Sequence, residues 1–151
     1  MNNSKRQLSR SDKQQAVEQV VLQKFDAKAT KKRFYFDEDK KSEFLEVDDY
    51  LEKPQTFIEI WSHVGKPKSA QKNKVMTDAA KLLFAETIFG KAKKVLLFVD
   101  EEVLNYFKGK NWCARFLKKF GFQLQKIEIE DELKKEILAT QKGQDIRNNN
   151  F

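Results

Sequence analysis

Cysteine is almost missing from this sequence. Cys113 stands alone among 151 residues, which excludes a disulfide framework and a cysteine-based zinc site. Set in an amphipathic segment, it reads as a core residue. Proline is nearly as rare, with only Pro54 and Pro67, so each marks a specific turn. Long apolar runs are also lacking. The longest is "VLLFV" (Val95 to Val99), far too short to cross a bilayer, and no membrane partner is expected. The opening "MNNSKRQLSRSDK" is polar and basic without an apolar stretch, which predicts no secretory signal and a cytoplasmic, reducing location.

What is abundant is phenylalanine and charge. Thirteen phenylalanines supply much of a core, and the length suits one domain that needs no staples. Charged residues make up 35% of the chain, with a formal balance of +7 and a pI near 9.4. A basic domain of this size attracts polyanions, so nucleic acid is the first partner to consider. The plainer reading of the same numbers is a soluble, lysine-rich surface.

Periodicity divides the chain. Residues 1–10 read as a disordered tail, residues 11–142 as a single domain, and residues 143–151 as a polar tail. Ser11 and Asp12 can cap a helix in which Val17, Val21 and Phe25 recur at helical spacing. "KRFYF" (Lys32 to Phe36) reads as a strand. "EFLEVDDYLE" alternates Leu45, Val47 and Leu51 against Phe44, Glu46, Asp48 and Tyr50, a second strand. After a turn at Pro54, Thr56 to Val64 forms a third. A helix follows from Ser69 to Gly90, then "KKVLLFVD", the continuous apolar pattern of a strand buried on both faces. Asp100 is placed to cap a helix that breaks at "KGK" and ends at Gly121. Phe122 to Glu130 alternates as a fifth strand, and Asp131 to Gln141 makes a last helix. The predicted class is α/β, with a mixed central sheet flanked by helices.

The stretch "FIEIWSHVGKPKSAQKNK" (Phe57 to Lys74) concentrates the chemistry. It sets Glu59, Trp61 and His63 on one strand face and then opens a basic helix. If "EKPQ" is the hairpin loop, Leu51 faces Thr56, and counting back sets Asp48 opposite Glu59. Directly paired side chains lie about 4.5–5.5 Å apart at Cβ on one face. Two carboxylates there raise each other's pKa, a conflict that a divalent cation such as Mg²⁺ removes. A one-residue register slip would instead send both acids to solvent.

"EVD" (Glu46 to Asp48), a turn, then "FIEIW" (Phe57 to Trp61) resembles the active-site hairpin of the restriction-endonuclease-like, or PD-(D/E)xK, nucleases. That family places an acid on its second core strand and E-x-K on the third. Its αβββαβ core covers roughly Asp12 to Glu130 of this chain. The resemblance implies a metal-dependent nuclease acting on nucleic acid, DNA ahead of RNA, with Mg²⁺ or Mn²⁺ held by Asp48 and Glu59. It also implies a secondary metal contact from Glu18 on the first helix, although Glu18 fits a solvated face equally well. Many nucleases of the fold cut both strands as dimers, so the resemblance allows a homodimer.

The chain departs from the pattern at the family's lysine, where Trp61 stands. Some relatives supply that lysine from the following helix. Here Gln71 and Lys74 share one helical stripe, which Asp78 and Lys81 continue. The expected catalytic set is therefore Asp48, Glu59, Lys74, Gln71 and His63, with Lys66, Lys68 and Lys72 gripping the nucleic-acid backbone. A lone histidine is also an ordinary structural residue, and Trp61 also fits a core that has sealed a dead site. The alternative function is thus a catalytically inactive nuclease-fold module that binds nucleic acid or a protein partner.

Overall fold

The structure, a computed structural model, describes residues 10–25, 30–39 and 43–148. It is an α/β arrangement of five strands and five helices. In chain order these are α1 (Arg10–Phe25), β1 (Thr30–Tyr35), β2 (Phe44–Leu51), β3 (Thr56–Trp61) and α2 (Ser69–Phe89). Then come β4 (Lys93–Phe98), α3 (Glu101–Phe107), α4 (Trp112–Lys119), β5 (Phe122–Lys126) and α5 (Asp131–Asn148). One mixed sheet runs in the order β1-β2-β3-β4-β5. The first three strands form an antiparallel meander, while β4 is parallel to both β3 and β5.

The apolar pattern of each strand sets its depth. Central β3 is buried at every position and β4 at all but its first. Two cores result. On one face, Phe57, Trp61, Leu96 and Phe98 pack against α2, α3 and α4 through Leu82, Phe107 and Leu117. On the other, Ile58, Ile60, Val95 and Leu97 meet Val17, Val21 and Leu22 of α1 and Ile137 of α5. Each large apolar side chain fully buried this way contributes roughly 1.5–3 kcal/mol.

The hairpin pairs Leu51 with Thr56, Tyr50 with Phe57 and Asp49 with Ile58, as counted from the Pro54 turn. The faces of β2 differ from simple alternation. Leu45 and Val47 belong to the α2 side, not to the face opposite Glu59, whereas Leu51 lies in the α1 side core. The cause is a β-bulge: two steps of β1, from Thr30 to Lys32, span three of β2, from Tyr50 to Val47. An extra residue reverses the sense of alternation beyond it.

Element ends differ as well. α1 begins at Arg10, so Ser11 and Asp12 lie within its first turn, and the rest of the expected N-terminal tail lies outside the described residues. β5 stops at Lys126, and Ile127 and Ile129 turn into the α1 side core. α5 continues to Asn148, through most of the expected polar tail, because Gly143 inside a helix costs only about 1 kcal/mol.

β3 stops at Trp61, its last pairing with β4, rather than at Val64. The segment that follows is held from outside the sheet. Gln141 of α5 accepts from Val64 N at 2.8 Å and donates to Val64 O at 2.9 Å. Asp100 does not cap α3 with its side chain; its carboxylate accepts from Gly65 N at 2.9 Å, at a turn where φ is 89°. Replacing Gln141 by Ala removes both bonds to Val64 and is expected to destabilise the protein by about 1–3 kcal/mol in urea denaturation. An unchanged midpoint would mean that this segment holds itself.

Candidate functional site

The strands of the hairpin part where the carboxylates stand. Their pairing ends at Asp49 and Ile58; beyond it β2 pairs only with β1, and Glu59 to Trp61 pair only with β4. In the wedge so opened, Asp48 Oδ2 accepts a hydrogen bond from Ile60 N at 3.0 Å, taking a place that a β2 carbonyl would fill in a closed ladder. Opposite it, Glu59 is only 3% exposed and projects to the α2 face between Phe57 and Trp61. The Asp48 and Glu59 carboxyl groups are hydrogen-bonded to each other.

α2 runs back along β3 and brings its own charges. Lys81 makes an ion pair with Glu59, and Asp78, one turn earlier, lies 3.9 Å from the Lys81 ammonium. Three carboxyl groups and one lysine thus converge in a largely dry space. Burial, then the hydrogen bond and charge of Asp48, push the Glu59 pKa up to about 10, with Lys81 opposing. Burial also raises Asp78, against the pull of Lys81. Burial pulls Lys81 down, but Glu59, Asp78 and Asp48 outweigh it and hold the ammonium charged above its ordinary range.

Among the described residues, no group of three or more His, Cys, Asp and Glu side chains is arranged to hold a metal ion. The available donor set is the Asp48–Glu59 pair. Mg²⁺ is commonly held by one or two carboxylates completed by waters and phosphate oxygens, so the pair fits such an ion. The hydrogen bond and charge of Asp48 that raise the Glu59 pKa mark where a cation would relieve the repulsion between the two.

The remaining expected residues have definite places. Lys74 lies 5.6 Å from the Trp61 ring centroid and within the field of Asp78, while Lys81 takes the place beside Glu59 expected of Lys74. The direction of the offset follows from α2 running back along β3. Stepping back from Trp61 to Glu59 covers about 6.6 Å of strand, and the seven residues from Lys74 to Lys81 rise about 10.5 Å, the long lysine stems taking up the difference. The stripe of Gln71, Lys74, Asp78 and Lys81 was visible as spacing in sequence, but not which of its members reaches the acid.

Gln71 serves structure first: its Oε1 accepts from Lys68 N at 2.9 Å at the start of α2, and its Nε2 lies 3.3 Å from His63 Nδ1. His63 in turn stacks on Trp61 at 4.3 Å. Lys66 and Lys68 are exposed, and Lys72 lies 4.4 Å from the Tyr106 ring centroid. Glu18 belongs to α1, which packs on the sheet face opposite Glu59. Its charge meets that of Asp48 at Lys31, whose ammonium is held up mainly by its hydrogen bond to Glu46. No family model, curated protein or solved structure matches this chain.

The raised Glu59 pKa has a signed consequence for stability. Between its ordinary value of 4.5 and about 10, the folded protein holds a proton that the unfolded chain releases. In that window stability falls as pH rises. Melting temperatures measured in EDTA should therefore drop from pH 5 to pH 9, and Glu59→Gln should flatten that slope. An equal slope in the variant would place the titration elsewhere.

Proposed function

We propose that this chain is a metal-dependent phosphodiesterase of nucleic acid, DNA ahead of RNA, with restriction-endonuclease-like architecture. The observation that carries the reading is the buried Asp48–Glu59 pair at the parting of β2 and β3, with Lys81 on Glu59. The order α1-β1-β2-β3-α2-β4 supports it, because it is the order in which that family arranges its core.

Asp48 and Glu59 hold Mg²⁺ or Mn²⁺ in this reading, and Glu59 gives up its proton to do so. The ion, when bound, polarises the scissile phosphate and makes water a nucleophile at neutral pH. Lys81 takes the role of the displaced family lysine. Freed from full pairing with Glu59, its ammonium offsets the negative charge that develops on the phosphate. Lys74 stands further along the same helix stripe and adds positive charge near the mouth of the site. Gln71 orients His63, which is within reach of that mouth as a phosphate contact. Lys66, Lys68 and Lys72 neutralise backbone phosphates and add affinity without sequence information.

A second reading is favoured by Trp61. It occupies the motif's lysine position, is 5% exposed, and belongs to the α2 side core. Lys81 already gives Glu59 a partner without a metal. On that reading the chain binds nucleic acid or a protein and performs no chemistry.

Cleavage of supercoiled plasmid with Mn²⁺, alongside Mn²⁺ titration by calorimetry, separates the two. The phosphodiesterase reading expects nicking that Asp48→Ala abolishes and Lys81→Met lowers by about 10²–10³-fold, the usual loss when one charge-stabilising group is removed. Lys74→Met should cost less, about tenfold, because its charge acts from further away. A wild-type protein that neither cuts nor binds Mn²⁺ through Asp48 leaves the inactive module. Loss in Lys74→Met with none in Lys81→Met would reassign the lysine.

A further inference from the structure

We propose that the surface formed by α4 and the loop before it binds unpaired, single-stranded nucleic acid. This extends the nucleic-acid reading above by naming the substrate's form and where it lies. The first observation is charge. From Val103 to Ile127 the sequence contains Lys108, Lys110, Arg115, Lys118, Lys119 and Lys126, and no aspartate or glutamate. The first five are all exposed. A polyanion meets no repulsion along this segment, whereas two copies of the chain placed face to face here would repel each other.

The second observation is aromatic and independent of the first. α4 turns Cys113, Ala114 and Leu117 into the core. On another stripe it carries Trp112, Phe116 and Phe120, at helical spacing of four. Trp112 is 68% exposed and Phe120 48%. Their rings form a ladder, with centroids 6.5 Å apart from Trp112 to Phe116 and 4.7 Å from Phe116 to Phe120. Phe116 packs partly against the core, and the two rings that flank it, Trp112 and Phe120, stand exposed.

The third observation is a concavity of about 490 Å³ on the other flank of α4, lined there by Ala114, Arg115 and Lys118 and separated from the ring stripe by the outer face of the helix. Its rim includes Lys108, Lys110, Arg115 and Lys118, and its floor Phe122 and Leu124. Arg115 Nε donates to Lys110 O at 2.9 Å, which ties the guanidinium to the loop. Cations around an apolar floor suit a base or sugar with its phosphate held at the edge.

Together these features discriminate among nucleic acids. In a duplex the base faces are stacked on one another and exposed rings have nothing to stack against. A single strand presents those faces, and aromatic platforms in a basic groove bind it through them. The surface also leads toward the carboxylates. Lys72, at the start of α2, lies over Tyr106 of α3, and its charge reaches Cys113 at the start of α4. Lys74, further along α2, lies over Trp61. A strand stacked on α4 and drawn along Lys72 and Lys74 arrives at the parting of β2 and β3.

The test is fluorescence anisotropy with the full chain and labelled oligo(dT), oligo(U) and a duplex of equal length, all in EDTA so that binding is read without cleavage. Single strands should bind at least about tenfold tighter than duplex, and Trp112→Ala should remove about tenfold or more of that affinity while Trp112→Phe retains most of it. The log–log salt dependence should become shallower by about 0.7 when Lys110→Gln removes one phosphate contact. The oligo(dT) and oligo(U) arms distinguish DNA from RNA as the source of the strand. Binding that is equal for duplex and unaffected by Trp112→Ala would overturn the proposal. So would capture by phosphatidylserine vesicles without binding to oligonucleotide, or a dimer in sedimentation that Trp112→Ala dissociates. A chain that binds oligo(dT) through Trp112 but never cuts retains this surface and loses the nuclease reading; one that cuts with Trp112→Ala binding unchanged does the reverse.

Discussion

A carboxyl group in the middle of a central strand must be answered by its neighbours, and the rest of the site follows from how Glu59 is answered. Desolvating an isolated carboxylate costs several kcal/mol even after relaxation, so it either takes a proton or finds a cation. Glu59 has both answers at hand: a hydrogen bond with Asp48 on one side and the Lys81 ammonium on the other. Neither makes the position a good one for stability. An apolar residue at 59 would continue the pattern of Phe57 and Trp61 and cost nothing to bury. The acid is there at the expense of the fold, which is the pattern expected where a local rule is broken for function.

The bulge in β2 and the early parting of the hairpin belong to the same arrangement. With an unbroken ladder, Ile60 N would bond to β2 backbone, and the Asp48 carboxylate would have no backbone donor to accept from on β3. The parting frees that N–H, and Asp48 takes it at 3.0 Å, which fixes the carboxylate toward Glu59. The extra residue lets Val47 stay in the α2 side core while Tyr50 stacks on Phe57 on that same side. Irregular β-structure is thus confined to the point where the chemistry-bearing residues meet. Outside the sheet, Gln141 and Asp100 satisfy the backbone of Val64 and Gly65, so the segment that carries His63 away from β3 is anchored on both α5 and the start of α3.

Much of this was legible in the sequence, for identifiable reasons. The element order came from the change between alternating and continuous apolar pattern, and from punctuation at Pro54, Gly90 and Gly121. The pairing of Leu51 with Thr56 followed from the hairpin turn alone, and it carried Asp48 to its place opposite Glu59. The faces of Leu45 and Val47 were misjudged because a bulge leaves no trace in a hydrophobic pattern that tolerates either side. Lys81 was visible only as a member of a stripe. Choosing it over Lys74 requires the distance along β3 at which α2 passes Glu59, and that is set by the Gly65–Pro67 turn and the packing of Val75, Ala79 and Leu82 on the sheet. Asp100 is the N-cap residue of α3 as expected, but its side chain makes no capping bond, because the loop after the neighbouring strand β3 offered it the Gly65 N–H.

Charge distribution links the site to the surface around it. Salt at physiological strength screens exposed charges beyond about 8 Å, so the basic α4 surface can hold a polyanion but does little to offset carboxylates further away. With Glu59 protonated, Asp48 and Asp78 face Lys81 and, further off, Lys74, so a phosphate meets no net attraction at the carboxyls. A strand drawn in by surface cations would therefore stall at the mouth of the site unless the local charge became positive. A divalent cation that displaces the Glu59 proton makes that change. It also gives the phosphate an attractive partner at the point where Lys81 waits. A basic surface that gathers nucleic acid and an acidic pair that must be neutralised before nucleic acid can approach are each unremarkable alone; adjacent, they make the occupancy of the pair the condition for engaging the strand.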